Sequence, residues 1–576
     1  MYGDQVGAFI DGLLAAYSPS LGVVLDCRSR RHILYMPPRV FYPLINSNLL
    51  LCILSNHHKT DANYGWVEME DHVLHGKGLI RKGEGWTGYY LNMTSQQWLT
   101  PGDFSNSSDS GSIWYHMLVV IVPDKVDYTR NATLYMTGGN TPNADGSGLP
   151  GATNEDLRVA STLAMNSKVI TGALFQIPNE HTTFSGDPLQ KSRTEDAVIA
   201  YTWDHFLKDP TKPEWLLRFP MVKASLRAMD AMKEFVAMKK PETSLDYFIV
   251  AGASKRGWTA WDVGAVDPTR VMGIVPIVLD AINFVQVMHH QYQSYNGWSW
   301  ALQDYIDMDI MTRLDTPNMK LLAENVDPFY YRNRLTMPKL IVNAVLDEFQ
   351  QPDDTHYWWD DMPEPKHFIM TPNAEHSEAT GIFEIVPAIG AWIQHHLEKK
   401  AVPEFTWKIN ETTGEIVATL NDVGDVKVAR VWSAFSCGNN PDGIKRRDFR
   451  VANADKPCKC GIEAQGMCVN LKSMWSPKVL KESKVDGKRT YSAHMDAPTD
   501  GRYVAYFVEI VYALNKIDAL IPFIGDKHFT KYFAKDLLGR LQFTTEVSVF
   551  PNTFPYAGCG ITDGVDTGIP CTLNVV

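Results

Sequence analysis

The segment "FIVAGASKRGWTAW", residues 248 to 261, runs from an apolar, β-branched stretch through Gly252, Ala253 and Ser254 into a helix-compatible stretch. A strand ending at Gly252 and a helix beginning near Lys255 put Ser254 at the top of a tight turn, its hydroxyl pushed outward and able to attack a carbonyl carbon. Such a serine needs a base within hydrogen-bond reach, and the base needs an acid that orients it and stabilises its charged form. Both are present at strand ends. Asp347 closes the apolar run "LIVNAVLD", and His376 follows "KHFIM" in "TPNAEHSE". Ser254, Asp347 and His376 are therefore the expected nucleophile, acid and base, with "DDTHYWWDDM" expected to form a helix between the last two.

Glu348 and Asp280 are substitute acids, since each also lies at a strand end. Successive residues of a strand point to opposite sides, so only one of Asp347 and Glu348 can face His376. Asp347 comes first after the apolar run and is the one expected to do so. Glu348 is expected to point toward solvent or to cap the helix that follows.

The negative charge that develops on the attacked carbonyl needs two converging N–H donors. The backbone N–H of Lys255, directly after the nucleophile, is one expected donor. The second is expected from "LYMTGGN", where Gly138, Gly139 and Asn140 follow an earlier strand, with Gly139 the chosen position. A second glycine usually stands two places after such a serine; here it is delayed to Gly257, and Arg256 occupies the close-packed position. Lys255 and Arg256 add positive charge beside Ser254, which could stabilise the oxyanion, select acidic substrates or form an ion pair on the helix surface. His289–His290 and His395–His396 are tandem pairs, and neighbours in a helix point about 100° apart, which makes them poor metal clamps. No metal and no cofactor is expected.

Elements that could hold these residues alternate along the chain. Residues 115 to 137 read as two apolar strands around a polar turn, followed by a glycine-rich loop, a helix near Asn154 to Met165 and a strand at 168 to 178. Helices are expected near Thr194 to Leu207 and Phe219 to Met238, then the strand leading to Ser254, then "RVMGIVPIVLD". Residues 283 to 335 interrupt the alternation with an aromatic-rich helical insertion, a lid candidate. "KLIVNAVLDEF", "KHFIM" and a helix near Ile382 to Leu397 resume it. The pattern predicts an α/β fold over 111–400, with a mainly parallel sheet covered on both faces. Beyond Ala401, short alternating strands separated by turns predict a C-terminal all-β, immunoglobulin-like sandwich over 401–576. Residues 1–110 are expected to pack on the α/β domain, with a helix near Gln5 to Tyr17 and strands around Trp66 to Tyr90.

At 576 residues the chain exceeds the size of one growing core, so at least two domains are expected. A formal net charge of −12 gives no footprint for nucleic acid or for an anionic membrane. The longest apolar run, from Tyr503, is interrupted by Glu509, Lys516 and Asp518 and reads as buried strands; no membrane span is expected. Six of the eight cysteines lie after residue 436 without paired C-x-x-C knuckles, which favours disulfides over zinc. Cys559 with Cys571 is the expected pair. Asn92, Asn106, Asn131 and Asn410 head N-x-S/T sequons, about the four that chance supplies in a chain of this composition.

Seven separated blocks, "RTEDAVIAYTW", "RFPMVKASLRAMD", "VAGASKRGWTAWD", "VNAVLDEFQQPDD", "PNAEHS", "RRDFR" and "FTTEVSVFPNTFP", together resemble the PhoPQ-activated pathogenicity-related family over roughly residues 60 to 560. The resemblance implies a secreted α/β-hydrolase fold with an appended β domain, and a triad at Ser254, Asp347 and His376. It implies a serine hydrolase, esterase or peptidase, that forms an acyl-enzyme on a small-molecule ester or peptide substrate. One branch of the family implies instead a secreted growth-repressing or chemorepellent signal acting through a cell-surface receptor, with catalysis dispensable. The delayed glycine and Arg256 resemble the basic elbow of glucuronoyl esterases more than the Gly-Gly elbow of prolyl peptidases.

Overall fold

Runs such as "YFIVAGA" and "IWYHMLVVIVP" carry apolar residues on both faces and can be strands only if both faces are covered. In the computed structural model, which describes residues 62–69, 80–108, 110–139, 149–151, 153–421, 424–513 and 540–576, they form the centre of a ten-stranded mixed sheet. Its strands are β1 (Gly65–Glu68), β2 (Ile80–Gly83), β3 (Trp86–Gln97), β4 (Ile113–Pro123), β5 (Asn131–Met136), β6 (Ile170–Leu174), β7 (Tyr247–Ala253), β8 (Val271–Ile277), β9 (Lys339–Ala344) and β10 (Lys366–Thr371). The order is β1-β3-β4-β6-β5-β7-β8-β9-β10, with β2 paired to β3. From β6 to β10 every neighbouring pair is parallel, while β1 to β4 pair antiparallel. The crossing of β5 and β6 within a sheet whose early strands are antiparallel is the strand order of an α/β-hydrolase. The apolar strands at 113–123 and 131–136 are present as expected, but β6 lies between them, so they do not pair with each other.

Helices α1 (Glu155–Ser167), α2 (Glu195–Lys208), α3 (Arg218–Lys239) and α4 (Lys255–Val266) connect the strands. Residues 283–335 are helical, with α5 (Phe284–Tyr295), α6 (Gln303–Asp307) and α7 (Pro317–Val326), and α8 (Ile382–Leu397) closes the series. "DDTHYWWDDM" does not form a helix: it holds only a short 3₁₀ turn at Asp354–Tyr357. Its side chains are committed to outside partners that a helix would pull apart. Asp354 binds His290, Trp358 donates to Asp280, and Trp359 packs on Trp407. The expected helix near Gln5 to Tyr17 lies outside the described residues.

The strands after residue 401 build separate antiparallel sheets, one of four strands and one of five, as their alternating pattern requires. Their inner faces join the apolar core that also holds Ile389 and Trp392 of α8, and residues 60–576 form one contact unit. Three disulfides, Cys437–Cys460, Cys458–Cys468 and the expected Cys559–Cys571, staple this C-terminal region. Its last residues return to the insertion. Trp298 exchanges backbone hydrogen bonds with Asn574 and Val576, and its indole donates to the Thr572 carbonyl at 2.6 Å.

Candidate active site

Ser254 sits between β7 and α4 with φ 57° and ψ −128°, a conformation that a non-glycine residue adopts at a cost of about 1–3 kcal/mol. The surroundings impose it. Its N–H donates to the Ile277 carbonyl of β8 at 2.8 Å, and its own carbonyl accepts from Trp258 in the first turn of α4. A Cβ at Gly252 would stand 2.7 Å from the Arg256 carbonyl oxygen, and one at Gly257 would stand 2.8 Å from the Ile277 carbonyl oxygen. The first glycine therefore makes room for Arg256 in the turn, and the delayed second glycine lets α4 lie against β8. Close packing at this turn is achieved one residue later than usual.

His376 lies in the loop after β10 and Asp347 in the loop after β9. Ser254 Oγ is 2.8 Å from His376 Nε2, and His376 Nδ1 is 2.7 Å from Asp347 Oδ2. The carboxylate can only accept, so Nδ1 carries the proton and Nε2 accepts from the serine hydroxyl. Asp347 is buried, and its other oxygen accepts from the backbone N–H groups of Phe349 and Gln350 at 2.7 and 3.3 Å. Burial alone would push the His376 imidazolium down, but the Asp347 charge and hydrogen bond, with Glu348 nearby, raise its pKa above the ordinary value.

The alternative acids are placed elsewhere. Glu348 points neither to solvent nor to a helix: its Oε2 accepts from the backbone N–H of His376 at 3.2 Å. Asp280 is buried beside Trp358, whose indole donates to it at 2.7 Å, and burial pushes its carboxyl well above the usual range. It makes no contact with His376.

The two cations after Ser254 form a buried ion cluster rather than a helix-surface pair. Lys255 Nζ reaches Glu195 at 2.7 Å and Asp196 at 2.8 Å, and Arg256 binds Glu195. Arg256 also donates to the Ile177 carbonyl, and Tyr305 donates its hydroxyl to Asp196 at 3.0 Å. Burial would raise the Glu195 carboxyl, yet the Arg256 and Lys255 charges hold it down at about 2. A Cβ at Gly138 would fall on the Arg256 guanidinium, so Gly138 is glycine to admit this cluster. Glu195 and Asp196 open α2 and were not among the expected site residues; the signal was the acidic pair in "RTEDAVIAYTW", which reads as ordinary helix-start charge.

Lys255 is the first residue of α4, where backbone N–H groups lack intrahelical partners. Gly139, at φ 100°, has a conformation that requires glycine, but it lines neither of the two cavities that reach Ser254. Thr137 of the same turn lines one of them. Asn140 lies outside the described residues. Among the described residues, the one group of histidine and cysteine side chains close enough to share a metal is His289 with Cys559 and Cys571, and those cysteines are joined to each other.

A sequence model of the family described as "PhoPQ-activated pathogenicity-related protein" matches residues 78–450. Autocrine proliferation repressor protein A of Dictyostelium discoideum is 34% identical over 486 residues, spanning 83% of this chain and 87% of that protein. Among solved structures, acetyl xylan esterase 1 of Thermoanaerobacterium sp. JW/SL YS485 is 14% identical, with 64% of this chain and 100% of that chain covered and a TM-score of 0.40. Acetyl xylan esterase of Paenibacillus sp. R4 is 13% identical, with 64% and 97% covered and a TM-score of 0.39.

Proposed function

The chain belongs to the PhoPQ-activated pathogenicity-related family, and from that premise we propose that it is a secreted serine hydrolase acting on an ester or peptide through an acyl-enzyme. One observation carries the reading: Ser254, His376 and Asp347 form a continuous hydrogen-bonded chain on an α/β-hydrolase sheet. Ser254 Oγ attacks the carbonyl carbon as His376 Nε2 takes its proton, and His376 returns that proton to the leaving group as the carbonyl reforms. Water then attacks the acyl-enzyme by the same route, which restores the serine. The Lys255 N–H and a second donor expected from the Gly138–Gly139 turn, with Gly139 the expected one, hold the oxyanion. Residues 111–400, with β1–β3 completing their sheet, act as the hydrolase body, 283–335 as its lid, and 401–576 as a β-sandwich domain. Three disulfides support an extracellular setting, and among the described residues no helix is long and apolar enough to cross a membrane.

The likeness to a protein named as an autocrine proliferation repressor supports a second reading, a secreted growth-repressing or chemorepellent signal acting through a receptor with catalysis dispensable. A fluorophosphonate probe separates the two. The first reading expects labelling of the wild type and none of Ser254→Ala. Labelling that persists unchanged in Ser254→Ala rejects the triad, and a Ser254→Ala protein that still restrains cell growth at full strength assigns the biology to the second reading.

A further inference from the structure

One of the cavities at Ser254 is an apolar chamber with the nucleophile and His376 at its wall. Phe284, Met288, Leu302, Ile310, Met311 and Leu314 of the insertion form much of its lining. Aromatic rings brace it: Trp203 lies 5.2 Å from Phe284 and 5.4 Å from Tyr305, and Trp258 lies 6.0 Å from Phe284, measured between centroids. Its free volume is about 80 Å³. An apolar protein cavity of about 150 Å³ accepts benzene, so this one has room for about three or four carbon atoms.

The charged groups of the lining are not free. Its lining includes Asp196, Lys255 and His376, and each is already matched. Lys255 is held between Glu195 and Asp196, Asp196 also accepts from Tyr305, and His376 is engaged by Asp347. A charged group entering here would lose its hydration without gaining a free partner, which is strongly unfavourable.

Building on the serine-hydrolase reading, we propose that this chamber is the acyl pocket, and that the substrates are esters of short, uncharged carboxylic acids of about two to four carbons. The insertion sets the chain-length limit, and the buried ion cluster sets the preference for a neutral acyl group. Arg256 and Lys255 then serve the architecture of the pocket and do not recruit an acidic substrate.

The test uses the full chain with p-nitrophenyl acetate, butyrate, octanoate and hemisuccinate. Wild type is expected to hydrolyse acetate and butyrate, with kcat/KM lower by about tenfold or more for octanoate. The hemisuccinate, which has the four-carbon backbone of butyrate but a carboxylate in place of the terminal methyl, is expected to be poorer than butyrate by about a hundredfold, and poorer also than its neutral isostere p-nitrophenyl 4-methylpentanoate, which separates charge from size. Met288→Ala and Leu314→Ala, made separately, should each raise the octanoate-to-acetate ratio, and Ala281→Leu should lower the butyrate-to-acetate ratio. Octanoate as the best substrate, hemisuccinate equal to butyrate, or ratios unmoved in all three variants overturns the proposal. Fluorophosphonate labelling in parallel distinguishes the two levels. A protein that labels at Ser254 yet hydrolyses none of the short neutral esters refutes the pocket assignment alone, whereas a protein that does not label refutes the hydrolase reading on which it rests.

Discussion

The turn that carries Ser254 and the loop that carries His376 meet at 2.8 Å but are held in place by different means. The serine turn is fixed by its own neighbours: two glycines, a strained φ, and a hydrogen bond to the adjacent strand. The histidine loop is fixed from a distance. Asn373, three residues before His376, donates to the Trp475 carbonyl at 3.0 Å and accepts from the Trp475 N–H at 2.7 Å. Within β10, the Met370 N–H donates to Thr544 Oγ1 at 2.9 Å. The nucleophile is thus built by local sequence, whereas the base depends on strands more than a hundred residues later. In this chain the C-terminal β region is part of what assembles the site.

The comparison is tested most severely at the acid. Asp347→Asn removes the charge that orients His376 and stabilises it as an imidazolium, and it favours the wrong tautomer. Turnover on the best ester should fall by up to about 10⁴-fold with substrate binding preserved. Glu348→Gln, which keeps an acceptor for the His376 N–H, should retain most of the wild-type rate. A severe loss in Glu348→Gln beside a near-normal Asp347→Asn would reverse the assignment.

On the serine side, Gly252→Ala should lower kcat by about a hundredfold, because the new methyl would meet the backbone at Arg256 and move the nucleophile. Overpacking of this kind also costs about 1–3 kcal/mol of stability, read as a lower Tm. An unchanged Tm and rate would show that the turn does not need its first glycine. On the histidine side, Asn373→Gly keeps the left-handed backbone at φ 60° and deletes both links to Trp475. A fall in kcat of about tenfold is expected, with fluorophosphonate labelling slowed to match. If the rate holds, the distant strands support stability and not the site.

This contrast also explains how much was legible beforehand. The helix at 382–397 and the strands around Ser254 follow from local periodicity, and Ser254, Asp347 and His376 are legible because each follows an apolar strand. What was not legible depends on partners far along the chain. "DDTHYWWDDM" fills an interval between Asp347 and His376 long enough for a helix, but its residues are weak helix formers and its side chains go to His290, Asp280 and Trp407. The strands at 113–123 and 131–136 have the pattern of a hairpin, and only the sheet order shows β6 between them. Glu195 carries no signal in the sequence beyond helix-start charge, and only the fold brings Arg256 to it.

The smallest expected effect is a shift in pH dependence, and it reads the electrostatics of the histidine loop directly. His376 must be neutral to accept the Ser254 proton, so activity rises with pH through its pKa. Burial acts to lower that pKa, but the carboxylates of Asp347 and Glu348 stabilise the imidazolium and the balance lies above the ordinary histidine value of about 6.5. The acid limb of kcat/KM is therefore expected above that value in the wild type. Glu348→Gln removes one of the two negative charges while leaving the Asp347 hydrogen bond intact, so the imidazolium is less stabilised and the acid limb should move to lower pH. Asp280→Asn serves as the control, because burial pushes that carboxyl well above the usual range and its hydrogen bond goes to Trp358 rather than to His376. A limb that moves in Asp280→Asn but not in Glu348→Gln would mean that the acids around His376 have been assigned to the wrong side of the sheet.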